Sequence, residues 1–371
     1  MAKAFGIVNF SSNRVWVEGL EQYRPIGAFS FLGRYRVIDF PISNMSNSGI
    51  DHIQTYVRRK PRSVIEHLGT GRHYNINSKK GKLHILFSEN GLEHDFYNTD
   101  IAAFLENLEC IEQVRYPYVV IAPSYMIYSA DYKELLKKHV DSGADISLLY
   151  QNVNNAKTSF LNCNALRLNN QKGVTAIKKN RGDEENKNIF MDTYIMKKDI
   201  FISLIQKASE ISSMYSLSDI VNESCQDMDI RAIAHEGFFA SITDFKSYFD
   251  ANLNLIASEN ASTLFKPDWP IYTRTNDSCP TQYFESAHVS DSVVSDGCLL
   301  EGTVKHCVIG RGSSIGKDSV LENCVILPGA QIGEGIHMAN MVVDKKASVI
   351  HIKDLICSPD NPGYIHRQNH V

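Results

Sequence analysis

No apolar run in the chain approaches the ~18 residues that span a bilayer, and the start, M-A-K-A-F-G-I-V, lacks the long apolar segment of a secretory signal. The eight cysteines form no C-x-x-C pair and no zinc-like spacing. Free, mostly buried thiols in a reducing compartment are therefore expected, and with them a cytoplasmic location. The histidines form neither H-E-x-x-H nor a local triad-like grouping, so metal or nucleophile chemistry has no foothold there. A strong excess of one charge is also missing. The formal net charge of −4 gives no reason to expect nucleic acid or a membrane surface as partner. Glycine, finally, is scarce where a phosphate loop would need it. The first apolar strand, residues 4–8, runs into N-F-S-S-N-R-V-W-V-E-G-L (Asn9 to Leu20). A loop cradles phosphate when glycines let backbone N–H groups come close and an arginine neutralises charge, and Phe10, Val15 and Trp16 do not supply that.

What is present fits an ordinary folded protein. At 371 residues, 43% hydrophobic and 22% charged, the chain has material for two domains. Up to about residue 250, short apolar runs alternate with helical patterns. Strands are predicted at 5–9, 53–57, 84–87, 118–122, 146–151, 163–168, 193–196 and 229–234. Helices are predicted at 101–111, 131–140 and 199–208, where apolar residues recur every three or four positions. This alternation predicts an α/β domain on a mainly parallel sheet. The charged stretch 178–187 reads as an exposed loop rather than a binding patch. A polar, turn-rich linker carries Pro267, Pro270 and Pro280. Beyond it Ile309, Ile315, Leu321 and Leu327 fall six residues apart, and I-G recurs at Ile309, Ile315 and Ile332. That is a hexapeptide β-helix, in which each six-residue side buries one aliphatic side chain; Ile332, one residue out of step, marks an imperfect coil. Its open ends favour association with another chain. The expected division is 1–257, an α/β domain; 258–280, linker; and 281–371, β-helix.

Several blocks carry a resemblance. They are G-R-Y-R-V-I-D-F-P-I-S-N-M-S-N-S-G-I (33–50), G-F-F-A-S-I-T-D-F-K-S-Y-F-D-A-N-L-N-L-I (237–256), P-I-Y-T-R (270–274) and H-V-S-D-S-V-V-S-D-G-C (288–298). In this order they resemble the ADP-glucose pyrophosphorylases (glucose-1-phosphate adenylyltransferases) over nearly the whole chain. The resemblance implies a Rossmann-like nucleotidyltransferase domain followed by a C-terminal left-handed parallel β-helix. It also implies a reaction joining a sugar 1-phosphate to the α-phosphate of ATP with loss of pyrophosphate, which needs a metal clamp on the phosphate oxygens.

The same resemblance shows what has been lost. The family's Gly-rich G-G-x-G-x-R-L loop is replaced by the Asn9–Leu20 stretch. One metal aspartate, in S-G-D-H-I-Y, gives way to Tyr125 in P-S-Y-M-I-Y; the other, in G-Y-W-x-D-V-G-T, gives way to Ser241. A phenol and a hydroxyl do not replace two carboxylates around a hard cation. The sugar-phosphate stretch E-E-K-P becomes Ile177-Lys178-Lys179-Asn180, and the turn W-Y-x-G-T-A becomes Phe96-Tyr97-Asn98-Thr99-Asp100. Retained scaffold with an erased site resembles the non-catalytic (GlgD-type) subunits of that family. The implied role is regulatory: assembly with a catalytic glucose-1-phosphate adenylyltransferase subunit, as a heterotetramer, in glycogen synthesis. Self-association through the same edges is expected too. No catalytic residue, no cofactor and no metal are expected in this chain, with Mg²⁺ needed only by the partner.

Arg24, Arg34 and Arg36 precede Asp39, and Arg58, Arg59, Lys60 and Arg62 follow. Guanidinium binds phosphate bidentately. The resemblance points to Arg36 and Arg311, with Arg24 nearby, as an effector site for phosphorylated metabolites, against the plain alternative of surface salt bridges. Asp39 is expected in a structural ion pair, and Asn44 and Asn47 in bonds to backbone. Three competing readings are an active nucleotidyltransferase with a divergent loop, a scaffold for another sugar-nucleotide enzyme such as a mannose-1-phosphate guanylyltransferase, and a hexapeptide acyltransferase using His306 or His337 as base.

Overall fold

Runs such as A-F-G-I-V-N, in which all six residues are buried, belong to strands covered on both faces. In the computed structural model, which describes residues 2–11, 15–76, 79, 81–87 and 98–371, these runs build a nine-stranded sheet. Its order is Val174–Lys179, Asn164–Leu168, Lys187–Lys197, Tyr118–Pro123, Ala4–Asn9, His52–Val57, Lys82–Phe87. Ile146–Val153 also pairs with Lys187–Lys197 and carries Ile230–Ala234 on its other side. The predicted strands are all present, but the sheet is mixed rather than mainly parallel. Ala4–Asn9 pairs in parallel with both neighbours, whereas Lys187–Lys197 meets each of its three partners antiparallel. Asn164–Leu168 returns through a short turn as Val174–Lys179, and so tight a connection permits only antiparallel pairing.

Three further expectations change. The helix predicted over 101–111 is two helices, Asp100–Glu106 and Leu108–Glu112, broken at Asn107, whose amide donates to the Ala103 carbonyl at 2.9 Å. The charged stretch 178–187 is only partly loop, because Lys178 and Lys179 end one strand and Lys187 opens another. The linker likewise opens with a helix, Ser258–Leu264.

Downstream, three five-stranded parallel sheets form the sides of a left-handed β-helix. Ile309, Ile315, Leu321 and Leu327 are each 2% exposed or less, as the six-residue spacing requires. Successive coils stack Ile315 on Ile332 and Val304 on Leu321, a repeat of 17 residues, so each of these coils has one shortened side. One sheet points a ladder of valines outward, Val308, Val325 and Val342, and these join the core of the α/β domain. Gly33 makes that docking close. It has φ +65°, and an added Cβ would lie 2.7 Å from the Ile309 carbonyl oxygen, so only glycine fits. All eight cysteines are free, four of them buried. Among the described residues no helix is long and apolar enough to cross a membrane.

Candidate functional site

The short strands Met126–Tyr128 and Phe239–Ser241 pair antiparallel, and the Ile242 N–H donates to the Tyr125 carbonyl at 2.9 Å. Tyr125 and Ser241, nearly 120 residues apart in sequence, therefore stand side by side at the C-terminal end of the central strands. That end is where an open α/β sheet places its ligand crevice. Both are buried, at 5% exposure each. The Tyr125 hydroxyl donates to Asp192 Oδ2, and the Cys163 thiol donates to Ser241 Oγ at 3.4 Å. Burial, with Asp192 adjacent, pushes the Tyr125 phenol well above its usual range, so it stays protonated and is no anionic ligand. Burial likewise pushes the Cys163 thiol to about 12.

Tyr125, Cys163 and Asp192 line a cavity of about 320 Å³ that also takes in Asn98, Asp100, Lys179 and Asp219. Burial raises both Asp100 and Asp192 to about 6. The Asp100 carboxylate is committed to the fold: it accepts from the Leu217 and Ile101 N–H groups at 3.0 and 2.9 Å and from the Asn9 amide at 3.0 Å. Asp219 is committed to the capping box of the helix Leu217–Glu223. A magnesium ion of the kind the resembled family uses does not fit this donor set. A protonated phenol, a hydroxyl and a carboxylate already receiving that phenol's proton are poor partners for a hard cation. Among the described residues no group of three or more histidine, cysteine or acidic side chains is placed to hold a metal.

Asp192 is the residue that sequence reasoning passed over. It sits at a bulge of Lys187–Lys197, with φ +42°, inside the apolar run I-F-M-D-T-Y. A lone charge in such a run was the available signal. Since burial raises its pKa from an ordinary 3.8 to about 6, the unfolded chain releases this proton first, and stability falls as pH rises between those values. Asp192→Asn keeps an acceptor for Tyr125 and tolerates positive φ. The variant is expected to gain about 2 kcal/mol at pH 7.5, with the gain shrinking through pH 6 and absent by about pH 4. Denaturant melts across that range check this; a loss at pH 7.5 would contradict it.

The remaining predicted positions are dispersed. Of the divergent loop, Ser12, Asn13 and Arg14 lie outside the described residues, as do Phe96 and Tyr97 of the altered turn; Phe10 and Val15 line the cavity. Lys179 lines it too, while Asn180 is buried and ties the Ala156 carbonyl at 2.7 Å. Asp39 is buried in the fold: it accepts from the Tyr74 hydroxyl at 2.5 Å and lies 2.6 Å from His67 Nε2. Asn44 and Asn47 lie on the helix Asp39–Asn47 and reach the carbonyls of Tyr128 and Pro270, both at 2.9 Å. His306 Nδ1 pairs with Asn323 at 2.7 Å, and His337 is exposed beside Asp354.

A second cluster lies where the β-helix meets the α/β domain. Arg24, 3% exposed, pairs with the fully buried Asp344, which also accepts from the Tyr364 hydroxyl at 2.6 Å. The Arg36 guanidinium donates to the Ser63 carbonyl at 2.9 Å. Lys345, missed in the sequence, stands among Arg36, Arg24 and Arg367, and burial followed by those charges drives its ammonium well below the usual lysine range. Arg311 belongs to a different neighbourhood, with Arg34, Asp296 and Asp39 as its charged surroundings. The structure thus brings Arg24 and Arg36 together and sets Arg311 with Arg34.

The mixed sheet, the crevice at its strand ends and the appended hexapeptide coils define a nucleotidyltransferase type of architecture. The nucleotidyl transferase family model matches residues 19–258, and a GlmU-like C-terminal hexapeptide model matches residues 280–355; the chain belongs to the nucleotidyl transferase family. It is similar to the glycogen biosynthesis protein GlgD of Bacillus subtilis (strain 168), 26% identical with 85% of this chain and 82% of that protein covered. It is also similar to the protein of the same name from Geobacillus stearothermophilus, 28% identical with 86% and 83% covered. A glucose-1-phosphate adenylyltransferase of Clostridioides difficile (strain 630) is 28% identical, with 79% and 76% covered.

Proposed function

We propose that the chain is a regulatory, catalytically deficient subunit of a glucose-1-phosphate adenylyltransferase, which assembles with a catalytic subunit and activates it in making ADP-glucose for glycogen. The observation that supports this reading is the strand pairing that sets Tyr125 and Ser241 beside each other at the crevice, since these are the two positions to which the resemblance assigns the family's metal carboxylates. The names of the relatives supply the pathway, since two are glycogen biosynthesis proteins and one is the adenylyltransferase. Mg²⁺ acts in the partner alone, and the assembly is a heterotetramer. The β-helix supports association, with Leu299, Ile350 and Ile356 exposed on its outer surface.

The basic junction gives this subunit a way to regulate. Arg36, joined by Arg367 and with Arg24 already held by Asp344, presents guanidinium charge where the two domains meet, and Arg311 with Arg34 lies across the same junction. A phosphorylated metabolite bound there shifts the arrangement of subunits if it prefers one arrangement.

One experiment addresses both parts. The chain is mixed at micromolar concentration with a catalytic paralogue, and the mixture is sized and assayed with and without phosphorylated sugars, using wild type and Arg36→Ala. A mixed complex with higher turnover than the catalytic subunit alone is expected. Arg36→Ala should assemble normally while its effector affinity falls about tenfold, the loss of one charged hydrogen bond. Separate elution with unchanged kinetics overturns the assembly, and equal effector responses overturn the site.

A further inference from the structure

Lys345 follows the β-helix strand Met341–Val343 and stands in a cluster of positive charge drawn from distant parts of the chain. Arg24 and Arg36 come from the start of the α/β domain, and Arg367 from the tail beyond the strand Gly363–Ile365. The acid beside it, Asp344, is already committed. Asp344 takes the Arg24 guanidinium, the Tyr364 hydroxyl at 2.6 Å and the backbone N–H of Lys345 itself at 2.6 Å. Tyr23 and His366 complete the surroundings, with Arg367 over the Tyr23 ring at 5.9 Å and the His366 ring 4.7 Å from that of Tyr364. Among the described residues Lys345 Nζ has neither a hydrogen bond nor an ion pair. The residue is only half-buried, and its nitrogen is not among the sealed, unpartnered atoms, so small molecules of the solvent reach it.

Burial, followed by the Arg36 and Arg24 charges, holds the Lys345 ammonium well below the usual lysine range. The side chain therefore presents a larger share of free amine than an exposed lysine does at the same pH. A free amine amid guanidinium groups favours reactions whose product is an anion, because guanidinium binds a carboxylate-shaped group bidentately. Carbon dioxide meets both requirements: it is small and uncharged, so the cluster does not repel it, and its adduct with an amine is a carbamate. The Nζ lone pair forms a bond to the carbon of CO₂, one C=O pair of electrons moves onto oxygen, and nitrogen gives its proton to water. The balance is Lys345–NH₂ + CO₂ → Lys345–NH–COO⁻ + H⁺.

We propose that Lys345 is a carbamylation site, at which carbon dioxide adds reversibly to the amine and the carbamate is held by the guanidinium groups of Arg36 and Arg367 at the junction of the two domains. The modified lysine then supplies the negative charge that this cluster lacks. If a phosphorylated metabolite binds at Arg36, carbamate and metabolite compete for it; that consequence rests on the effector reading above, and the modification itself does not.

The intact chain, without partner or effector, is equilibrated with ¹³C-labelled bicarbonate and CO₂ at about pH 7.5 and followed by ¹³C NMR. A carbamate resonance is expected. Trapping by O-alkylation, then proteolysis and mass spectrometry, should place the added carboxyl group on Lys345, and this mapping on the wild type does not depend on how any variant folds. Lys345→Arg, which keeps a positive charge, and Lys345→Met, which keeps the length, should both lose the resonance. Arg36→Met should raise the CO₂ concentration for half-occupancy about tenfold, the loss of one charged contact. At fixed dissolved CO₂, occupancy should fall as pH is lowered, because a proton takes the nitrogen lone pair. A wild-type spectrum with no carbamate signal, a signal that Lys345→Met leaves undiminished, or a trapped adduct that maps away from Lys345 each overturns the proposal.

Discussion

Purified alone and given Mg²⁺, ATP and glucose 1-phosphate, the chain is expected to release no measurable pyrophosphate, far below the ~1 s⁻¹ of a slow ordinary enzyme. Losing a single charge-stabilising group costs about 10²–10³-fold, and the proposed reading has several lost together. Tyr125 donates into Asp192, Ser241 is bonded to Cys163, and Val15 lines the cavity on the phosphate-loop side. The double variant Tyr125→Asp, Ser241→Asp should be no faster. It would place two new carboxylates beside Asp192, which burial already holds at about 6, and would still lack a glycine loop for the triphosphate. The new acids would titrate upward instead of binding metal. A coupled pyrophosphate assay of both proteins is sufficient; turnover near 1 s⁻¹ in either would refute catalytic deficiency.

Arg24→Met is expected to destabilise the chain by about 3–5 kcal/mol, the cost of stranding one charge of a buried pair. Asp344 is 0% exposed and would retain only the Tyr364 hydroxyl and the Lys345 N–H as partners. Replacing both partners by apolar residues, Arg24→Met with Asp344→Leu, should recover much of that loss, because neither charge is then left buried. Chemical denaturation followed by circular dichroism gives the numbers. A loss below about 1 kcal/mol for Arg24→Met would mean that the pair does not clamp the β-helix to the α/β domain. The result also bears on regulation: an arginine committed to Asp344 holds the junction in place, and effector binding then falls to Arg36 and Arg367.

The backbone architecture was written in short-range pattern. Apolar runs of five or six residues flanked by amphipathic stretches specify strands and helices locally, and aliphatic residues at Ile309, Ile315, Leu321 and Leu327 specify a coil whose sides repeat. The direction of strand pairing was not written there. Lys187–Lys197 runs antiparallel to each of its neighbours, and periodicity carries no sign of direction.

The substitutions at Tyr125 and Ser241 were likewise visible one at a time, as residues of the wrong chemistry in otherwise familiar blocks. Their adjacency was not, since only the pairing of two three-residue strands joins them. Asp192 and Lys345 were invisible as site residues for one shared reason. Their character comes from burial, and burial is a property of the packed chain. An aspartate in a strand and a lysine in a turn read as ordinary charged residues until separate segments close over them. Local sequence therefore determined which elements form and which residues stand in the familiar blocks; tertiary packing decided which of them meet and which charges are desolvated, because burial and adjacency arise only when distant segments pack together.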